Sequence, residues 1–292
     1  MARVVPVSLE IRAGTLTGKA QALSTRWGQQ VVVENKTGAS GMIAAEQVVR
    51  ASPDGYTLLL GYTPEVSLNK LVFRSMRYDP VSDLSAIALA ASAPLVLVSG
   101  PKLPVTSMDA LLARKNSGNQ ISYGSPGIGG QQHMAGEMLA SLTGMRLTHV
   151  PYRGTSLAVS DLVGGQIDLF FATTPPLLPH IRSGKLHPLA VAGPKREKLL
   201  PNVPTVVELG LPRLQLTNWF GVFGPKSLPA ALNNKIGADV VAVLAEPDFI
   251  RALEDQGLSP TPMKGPALRD FIDAEMKKYQ AIVAETGITA EP

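Results

Sequence analysis

Short apolar runs alternate with segments of helical period along most of the chain, and this alternation limits the possible fold more than any other feature. A β-branched run at 31–33 lies between two amphipathic segments, 16–27 and 43–50, whose apolar residues recur every three or four positions. Alternating strands and helices predict an α/β fold with mostly parallel sheets flanked by helices. The predicted strands are 4–7, 31–33, 57–60, 87–99 in two runs, one ending at 123, 149–151, 167–171, 186–192 and 219–223. The predicted helices are 16–27, 43–50, 108–115, one beginning at 131, 156–163, 230–244, 248–256 and 266–285.

The strand series changes at two places, which predicts two lobes. Pro101 opens a new series near residue 100, and after the strand at 219–223 the pattern is helical, with no further strand predicted. We expect one lobe from 1–100 plus 220–292 and a second from 101–219, joined by two hinge crossings. Such a fold leaves a cleft between lobes, and in open parallel sheets ligands bind at the carboxyl ends of strands.

Composition excludes several classes of function. The chain has 292 residues, of which 45% are hydrophobic and 17% charged, as expected of a folded protein with a large core. It has no cysteine, which excludes thiol nucleophiles, and its four histidines form no close ligand pair, so we expect neither a metal nor a cofactor. The net charge is only +4 and no basic cluster interleaves with aromatics, so nucleic-acid binding is not expected.

The ends of the chain and its apolar runs bear on location. No run approaches the roughly 20 apolar residues of a membrane span. The first residues enter a predicted strand at once, without the charged region, apolar region and cleavage site of an export signal. Two interpretations stay open: a cytoplasmic protein, or the mature form of an exported one whose signal was replaced by a start methionine.

A glycine-rich turn between a predicted strand and a predicted helix is the best candidate for a binding site. It runs ISYGSPGIGGQQHMAGE over 121–137, with Ser125 among the glycines. Such a turn places unpaired N–H groups and the positive end of a helix dipole together, which favours an anion. The alternative is a tight turn with no ligand. The phosphate-loop, dinucleotide and G-x-S-x-G patterns are all absent.

Short segments spread over most of the chain resemble one family. The chain resembles, from about residue 27 to the C-terminus, the Bug family, the extracytoplasmic solute-binding proteins of tripartite tricarboxylate transporters. The segments that carry the resemblance are VVVENK at 31–36, PDGYTLL at 53–59, YDP at 78–80, YGS at 123–125 with His133, HVPYRG at 149–154, GGQ at 164–166, LPHI at 178–181, SGKL at 183–186, VPT at 203–205 and WFG at 219–221.

The resemblance implies a two-lobed, type II periplasmic-binding-protein-like fold that captures a small carboxylate in the cleft between lobes. The ligand would be a di- or tricarboxylate or an aromatic carboxylate, passed to the permease subunits of a membrane transporter. It also implies a periplasmic monomer rather than a cytoplasmic protein. The residues expected to contact the ligand are Tyr62, Thr63, Ser125, Gly127, Ile128, Gly129, Gly130, Gln131, His133, Arg153, Ala172, Thr173 and Thr174.

Two departures from the family pattern bear on ligand choice. The loop over 8–15 lacks the paired glycines and the Asp that family members have after the first strand, which puts the first-lobe contacts in question. Arg12 in this loop is either a replacement anchor or a solvated side chain. Ala172 stands where the family commonly has Asp, and losing that carboxylate favours a carboxylate ligand without an amino group.

Several residues keep two interpretations at this stage. His133 either contacts the ligand or bonds to backbone within its helix turn. Arg153 either pairs with a ligand carboxylate or ties a loop to its lobe, and Trp219 either packs near a crossing or lines the cleft.

Two other functions also stay open. One is a hydrolase that uses Ser125 with His133 or His149, which requires a base within hydrogen-bond reach and a third group to orient it. The other is a subunit that presents bound ligand to a membrane sensor.

Overall fold

The computed structural model describes residues 2–6, 20–36, 39–115, 118 and 120–289. Val7, Gly38, Arg12 and the rest of the atypical loop over 8–15 lie outside these residues, so the predictions made for them stay predictions. By its contacts the chain divides into two compact units, Met1–Ser92 with Trp219–Ala281 and Ala93–Asn218 with Ile282–Ala290. No described helix is both long and apolar enough to cross a lipid bilayer.

Strands and helices alternate through both units. In chain order the strands are β1 (Ala2–Pro6), β2 (Val31–Val33), β3 (Thr57–Tyr62), β4 (Leu84–Pro94), β5 (Val96–Ser99), β6 (Ile121–Ser125), β7 (Leu147–Pro151), β8 (Leu169–Ala172), β9 (His187–Val191), β10 (Thr217–Pro225) and β11 (Ser259–Lys264). The α-helices are α1 (Ala20–Trp27), α2 (Met42–Val49), α3 (Asn69–Val72), α4 (Pro80–Asp83), α5 (Met108–Leu112), α6 (Gln131–Thr143), α7 (Thr155–Val163), α8 (Thr174–Arg182), α9 (Ala230–Leu244), α10 (Pro247–Glu254) and α11 (Gly265–Thr286). A π-helical turn, Pro64–Leu68, leads into α3.

The first unit is built on a six-stranded sheet in the order β11-β4-β10-β3-β1-β2. The neighbours β2, β1 and β3 are parallel, and β10 runs antiparallel to β3. Small residues of α2 such as Ala44 and Ala45 let this helix approach the sheet, where Trp219 is fully buried. The Trp219 ring packs edge-on against Phe271, with 5.5 Å between ring centroids, so this residue belongs to the core of the first unit.

The second unit is built on a five-stranded sheet in the order β7-β6-β8-β5-β9. The β6 strand is parallel to β7 and β8, whereas β5 is antiparallel to β8 and β9. The apolar residues of α7 pack on this sheet with Phe170 and Val98 to form its core. The predicted α/β class is therefore observed, with parallel strands as expected and with β5, β10 and β11 as antiparallel additions.

Strand direction in the second unit places four carboxyl ends on one edge of its sheet. Ser125 at the end of β6 pairs with Pro151 at the end of β7. Val96 at the start of β5 pairs with both Ala172 and Val191, the ends of β8 and β9. The loops that follow these four strands therefore leave from the same edge, here named the strand-end edge. This is where the predicted ligand residues of the second unit lie.

Of the strands and α-helices given above, four were missing from the sequence prediction: β11, α8, and the four-residue helices α3 and α4. No further strand was predicted after the one at 219–223, and this is wrong, because β11 pairs antiparallel with β4 through a register shift between Pro260 and Met263. The helix α8 was not predicted either. It contains Pro179 and begins with prolines in its first turn, where no backbone N–H is needed.

Candidate ligand-binding site at the strand-end edge

The glycine-rich turn after β6 is held in shape by its own hydrogen bonds. The Ser125 side chain is fully buried, and its hydroxyl donates to the Gly127 carbonyl over 2.7 Å. The Gly127 N–H returns to Ser125 Oγ at 3.3 Å. Gly129 has a φ of +77°, a left-handed conformation that glycine adopts without strain. The turn is therefore pre-shaped before any ligand binds.

Two stacked histidines support the turn from β7 and α6. The rings of His133 and His149 lie face to face, with centroids 3.8 Å apart and planes 12° apart. His133 Nδ1 accepts from the Gly129 N–H at 3.1 Å, and His149 Nε2 lies 2.6 Å from Ser125 Oγ. His133 thus makes the backbone bond that one sequence interpretation expected, and it fixes Gly129 within the turn.

Burial keeps both rings neutral at physiological pH. It lowers the pKa of His133 to about 4. It also lowers the pKa of His149 to about 4, with a further lowering from the neighbouring His133. Beneath them Tyr123 is fully buried, donates to Glu137 Oε1 at 2.6 Å, and has its pKa raised first by burial and then by Glu137. The turn is therefore supported by the uncharged rings of His133, His149 and Tyr123, the last of which is hydrogen-bonded to Glu137.

The helix α6 supplies the anion-favouring end that the sequence predicted. It spans Gln131–Thr143 and begins directly after Gly130, so its first-turn N–H groups and its positive dipole end lie at the strand-end edge. Gly127 and Gly129 already use their N–H groups within the turn, so fewer amides remain for a ligand than the sequence argument assumed. Gln131 is buried and donates to the Thr217 carbonyl at 3.1 Å, whereas Ile128 is 47% exposed at the tip of the turn.

Arg153 adds a positive charge to the same edge. It lies in the loop between β7 and α7, where the Tyr152 N–H donates to the Ser125 carbonyl at 2.8 Å and the Tyr152 hydroxyl donates to Asp161 at 2.9 Å. The Arg153 side chain is exposed and forms no ion pair within the described part of the chain. A guanidinium held beside an anion-favouring turn can pair with a carboxylate through two parallel hydrogen bonds.

The third segment, Ala172 to Thr174, is buried and meets a carboxyl group that the sequence analysis missed. Thr174 is the first residue of α8, and its hydroxyl donates to Glu197 Oε2. Glu197 is 8% exposed, and its Oε1 has no hydrogen-bond partner within the ranges described above. Burial raises the pKa of Glu197 to about 7 against the opposing effect of the Thr174 bond. Glu197 lies in the run KREK, which is typical of a solvated loop and gives no local signal of burial.

The predicted residues of the first unit have backbone partners. The Thr63 hydroxyl is fully buried, accepts from the Trp219 N–H at 2.9 Å and lies 3.4 Å from the Trp219 carbonyl oxygen. The Tyr62 ring stacks on Phe220 at 5.9 Å, and the Tyr62 N–H donates to Glu65 at 2.6 Å. Burial raises the pKa of Glu65 well above its usual range. In this structure Tyr62 and Thr63 join the end of β3 to β10, and their contact with a ligand stays a prediction.

Ser125 and His149 do not form a catalytic pair despite their proximity. The Ser125 hydroxyl lies 2.7 Å from the Gly127 carbonyl, which can only accept, so the serine proton has an acceptor within the turn besides His149 Nε2 at 2.6 Å. Within the described residues no carboxylate hydrogen-bonds to His149 to orient it as a base. No described cluster of His, Asp and Glu is arranged to hold a metal ion.

Comparisons with known proteins agree with the resemblance seen in the sequence. BugT of Bordetella pertussis is 33% identical over 270 residues, covering 92% of this chain and 83% of that protein. Among solved structures, R. palustris Rpa4515 with adipate has a TM-score of 0.88 at 29% identity, covering 99% of this chain and 98% of that one. MatC from Rhodopseudomonas palustris with bound malate has a TM-score of 0.81 at 27% identity, covering 97% of this chain and 98% of that one.

A family model described as "Tripartite tricarboxylate transporter family receptor" matches residues 17–288, nearly the whole chain. Its members are periplasmic solute-binding proteins and not enzymes, so the hydrolase interpretation has no support. The predicted fold class and the predicted receptor function are confirmed. This chain belongs to the receptor family of tripartite tricarboxylate transporters.

Proposed function

We propose that this receptor binds a small dicarboxylate, or a related di- or tricarboxylate or aromatic carboxylate, at the strand-end edge of its second unit. The observation that carries the proposal is that the α6 N-terminus and the exposed Arg153, which forms no ion pair among the described residues, follow the ends of the paired parallel strands β6 and β7. The relatives Rpa4515 and MatC, whose structures hold adipate and malate, support a dianion as ligand.

The two features attract a carboxylate in different ways. The α6 N-terminus offers N–H donors and a partial positive charge to one carboxylate. Arg153 offers a full charge and a planar pair of donors to another. Because the turn is already fixed by Ser125 and His133, ligand binding has little loop ordering to offset, which favours affinity.

We also propose that the ligand carries no amino group and that the loaded receptor serves a membrane permease from the periplasm as a monomer. At the strand end where the family commonly places Asp, this chain has the buried Ala172, which offers nothing to an ammonium group. Family membership supports the permease partner and the location. Malate and aspartate form a suitable pair of probes, because they differ mainly in a hydroxyl and an amino group.

Isothermal titration calorimetry with adipate, malate and aspartate tests the proposal on wild type and two matched variants. Arg153→Gln removes the charge at the strand-end edge, and Arg146→Gln removes an exposed arginine just before β7, at the opposite end of the same strand. Losing a charged hydrogen-bond partner costs about 1.5–3 kcal/mol, so R153Q should weaken binding by roughly 10- to 100-fold. R146Q should bind as wild type does.

The outcomes separate the parts of the proposal. Equal affinities for R153Q and R146Q would remove the strand-end edge as the site. Aspartate binding more tightly than malate would overturn the choice of a ligand without an amino group. If none of the three probes bound and further di- and tricarboxylates also failed, carboxylate capture itself would be wrong.

A further inference from the structure

A buried carboxyl group at the start of α8 has no place in the site as described so far. Glu197 is 8% exposed, yet only its Oε2 has a partner, the Thr174 hydroxyl. Its Oε1 is sealed from solvent and has no hydrogen-bond partner in the described ranges. Buried polar atoms without a hydrogen-bond partner are rare in folded proteins. Such an oxygen is explained either by a partner from outside the protein or by protonation of the carboxyl group.

The position of Glu197 connects it with the strand-end edge. Ala172, the last residue of β8, pairs with Val96, and Thr174 follows two positions later as the first residue of α8. The segment that carries Glu197 leaves from β9, whose end Val191 pairs with the same Val96. Thr174 and Glu197 therefore both lie on segments that leave the strand-end edge.

The charged groups around Glu197 do not neutralise it. Lys195, Arg196 and Lys198 flank it in the chain, Glu208 lies further along the same segment, and α8 carries His180 and Arg182. The helix α7, which contacts α8, carries Asp161, which accepts from the Tyr152 hydroxyl. Arg196 is bound to both oxygens of Glu208, and Lys195 and Lys198 have exposed side chains. His180 and Arg182 lie in the last turn of α8, whereas Thr174 begins it. Burial raises the pKa of Glu197 to about 7, and the Thr174 bond acts in the opposite direction.

The charge state of Glu197 decides what Thr174 can offer a ligand. When Glu197 is ionised it can only accept, so the single hydroxyl proton of Thr174 is committed to Oε2. When Glu197 is protonated, its own O–H can donate to Thr174 Oγ1, and the Thr174 proton is released for another acceptor. An anionic ligand at this edge also disfavours the ionised form, because two like charges in a buried site repel each other.

We propose that Glu197 and Thr174 form a proton-linked contact for a ligand carboxylate. Glu197 takes up one proton from solvent, its O–H donates to Thr174 Oγ1, and the Thr174 hydroxyl turns to donate to the ligand. Glu197 is thus a positioning residue that acts through Thr174. The inference rests on the proposed function, because it requires a carboxylate at the strand-end edge, and it adds that capture of that carboxylate takes up a proton.

The pH dependence of the affinity for malate and adipate tests this contact. Both probes are largely dianions between pH 6 and 8, and burial lowers the pKa of His133 and His149 to about 4, so the two histidines stay neutral throughout this range. If only the protonated protein binds, the competent fraction falls as pH rises through about 7, and the dissociation constant should rise about tenfold between pH 6 and 8. Calorimetry in buffers of different ionisation enthalpy should show nearly one proton taken up at pH 8.

Two variants and a matched control locate the effect. Glu197→Gln keeps a donor to Thr174 but cannot titrate, so its dissociation constant should stay constant from pH 6 to 8 without proton uptake. Thr174→Val should bind more weakly at pH 6 and also lose the pH dependence, and Thr174→Ser should restore both. Asp109→Asn, an exposed carboxylate on α5 of the same unit, should keep the wild-type profile.

The contrary results are distinct from those that test carboxylate binding itself. If wild type binds malate or adipate with the same affinity at pH 6 and 8, or if E197Q keeps the wild-type slope, the proton-linked contact is wrong while the receptor function stands. If wild type binds neither these probes nor any other di- or tricarboxylate at any pH, both proposals are overturned.

Discussion

The single most informative perturbation of the strand-end edge is Gly136→Ala, in the middle of α6. A Cβ atom added at Gly136 would overlap the Cε2 and Cζ atoms of the Tyr123 ring. That ring is fully buried and cannot swing aside freely, because its hydroxyl is bound to Glu137 at 2.6 Å and its face stacks on His149 at 5.1 Å. Glycine is therefore required here for close approach of the helix to β6, whereas an isolated helix would favour alanine.

Two opposing effects set the size of the change. Replacing an interior helical glycine by alanine stabilises a helix by about 1 kcal/mol. Forcing an extra carbon into a close-packed core costs about 1–3 kcal/mol, and overlap with a fixed ring lies at the upper end of that range. We expect G136A to lower the free energy of unfolding of the second unit by about 2 kcal/mol. Because the displaced ring stacks on His149, which bonds Ser125, ligand affinity should fall as well.

Guanidinium denaturation followed by far-UV circular dichroism measures the loss of stability, since both tryptophans, Trp27 and Trp219, belong to the first unit. The control is a double-mutant cycle with Tyr123→Leu, which removes most of the ring. In that background G136A should cost at least 1 kcal/mol less than in wild type, because the two positions are in contact. Full stability of G136A, or two changes that simply add, would refute the steric argument.

Two further predictions concern titration within the second unit. Glu197→Gln should raise the free energy of unfolding by about 3 kcal/mol above pH 7 and change it little near pH 4.5. The reason is that the pKa of Glu197 rises from 4.5 to about 7 on folding, so its ionisation makes the folded state less stable as pH rises from 4.5 to 7. Urea denaturation at pH 4.5 and 8 checks this, and an equal effect at both values would contradict it. Wild type should lose stability as pH falls from 6.5 to 4, because His133 and His149 stay neutral in the folded state and gain protons in the unfolded state. In the same assay, His149→Gln should reduce this dependence of the free energy of unfolding on pH.

Periodicity predicted most strands and helices. Proline explains why β11 and α8 were missed, whereas α3 and α4 span only four residues each, too few to show a helical period. The segment SPTPMK of β11 carries two prolines, which argue against a strand from sequence alone. The structure accommodates them because β11 is the edge of its sheet, where a missing donor is tolerated. In α8 the first prolines lie in the first turn, where helices need no donors. Position within the fold, which the local sequence does not carry, decides how a proline is used.

The turn at 124–130 could be predicted from its glycines, but its supports could not. His149 reaches Ser125 only because β6 and β7 are parallel neighbours in a register that pairs Tyr123 with His149. A single sequence gives no register between two strands separated by a helix. Glu197 was missed for a related reason, since its neighbours in the KREK run are exposed and its burial depends on contact with α8, more than 20 positions earlier.

The polar groups at the strand-end edge divide into those that build the turn and those that are left for a ligand. The side chains of Ser125, His133 and His149 form their hydrogen bonds within the turn, and burial keeps the two histidine rings uncharged. A neutral, internally bonded support can hold the α6 N-terminus in place without competing for an anion. The preference for one carboxylate ligand over another must then come from groups outside the turn. These are Arg153, after β7 at one end of the strand-end edge, and the Glu197–Thr174 pair, after β9 and β8 toward the other end. Selectivity should therefore change with substitutions at those residues, whereas substitutions within the turn should weaken all carboxylates alike.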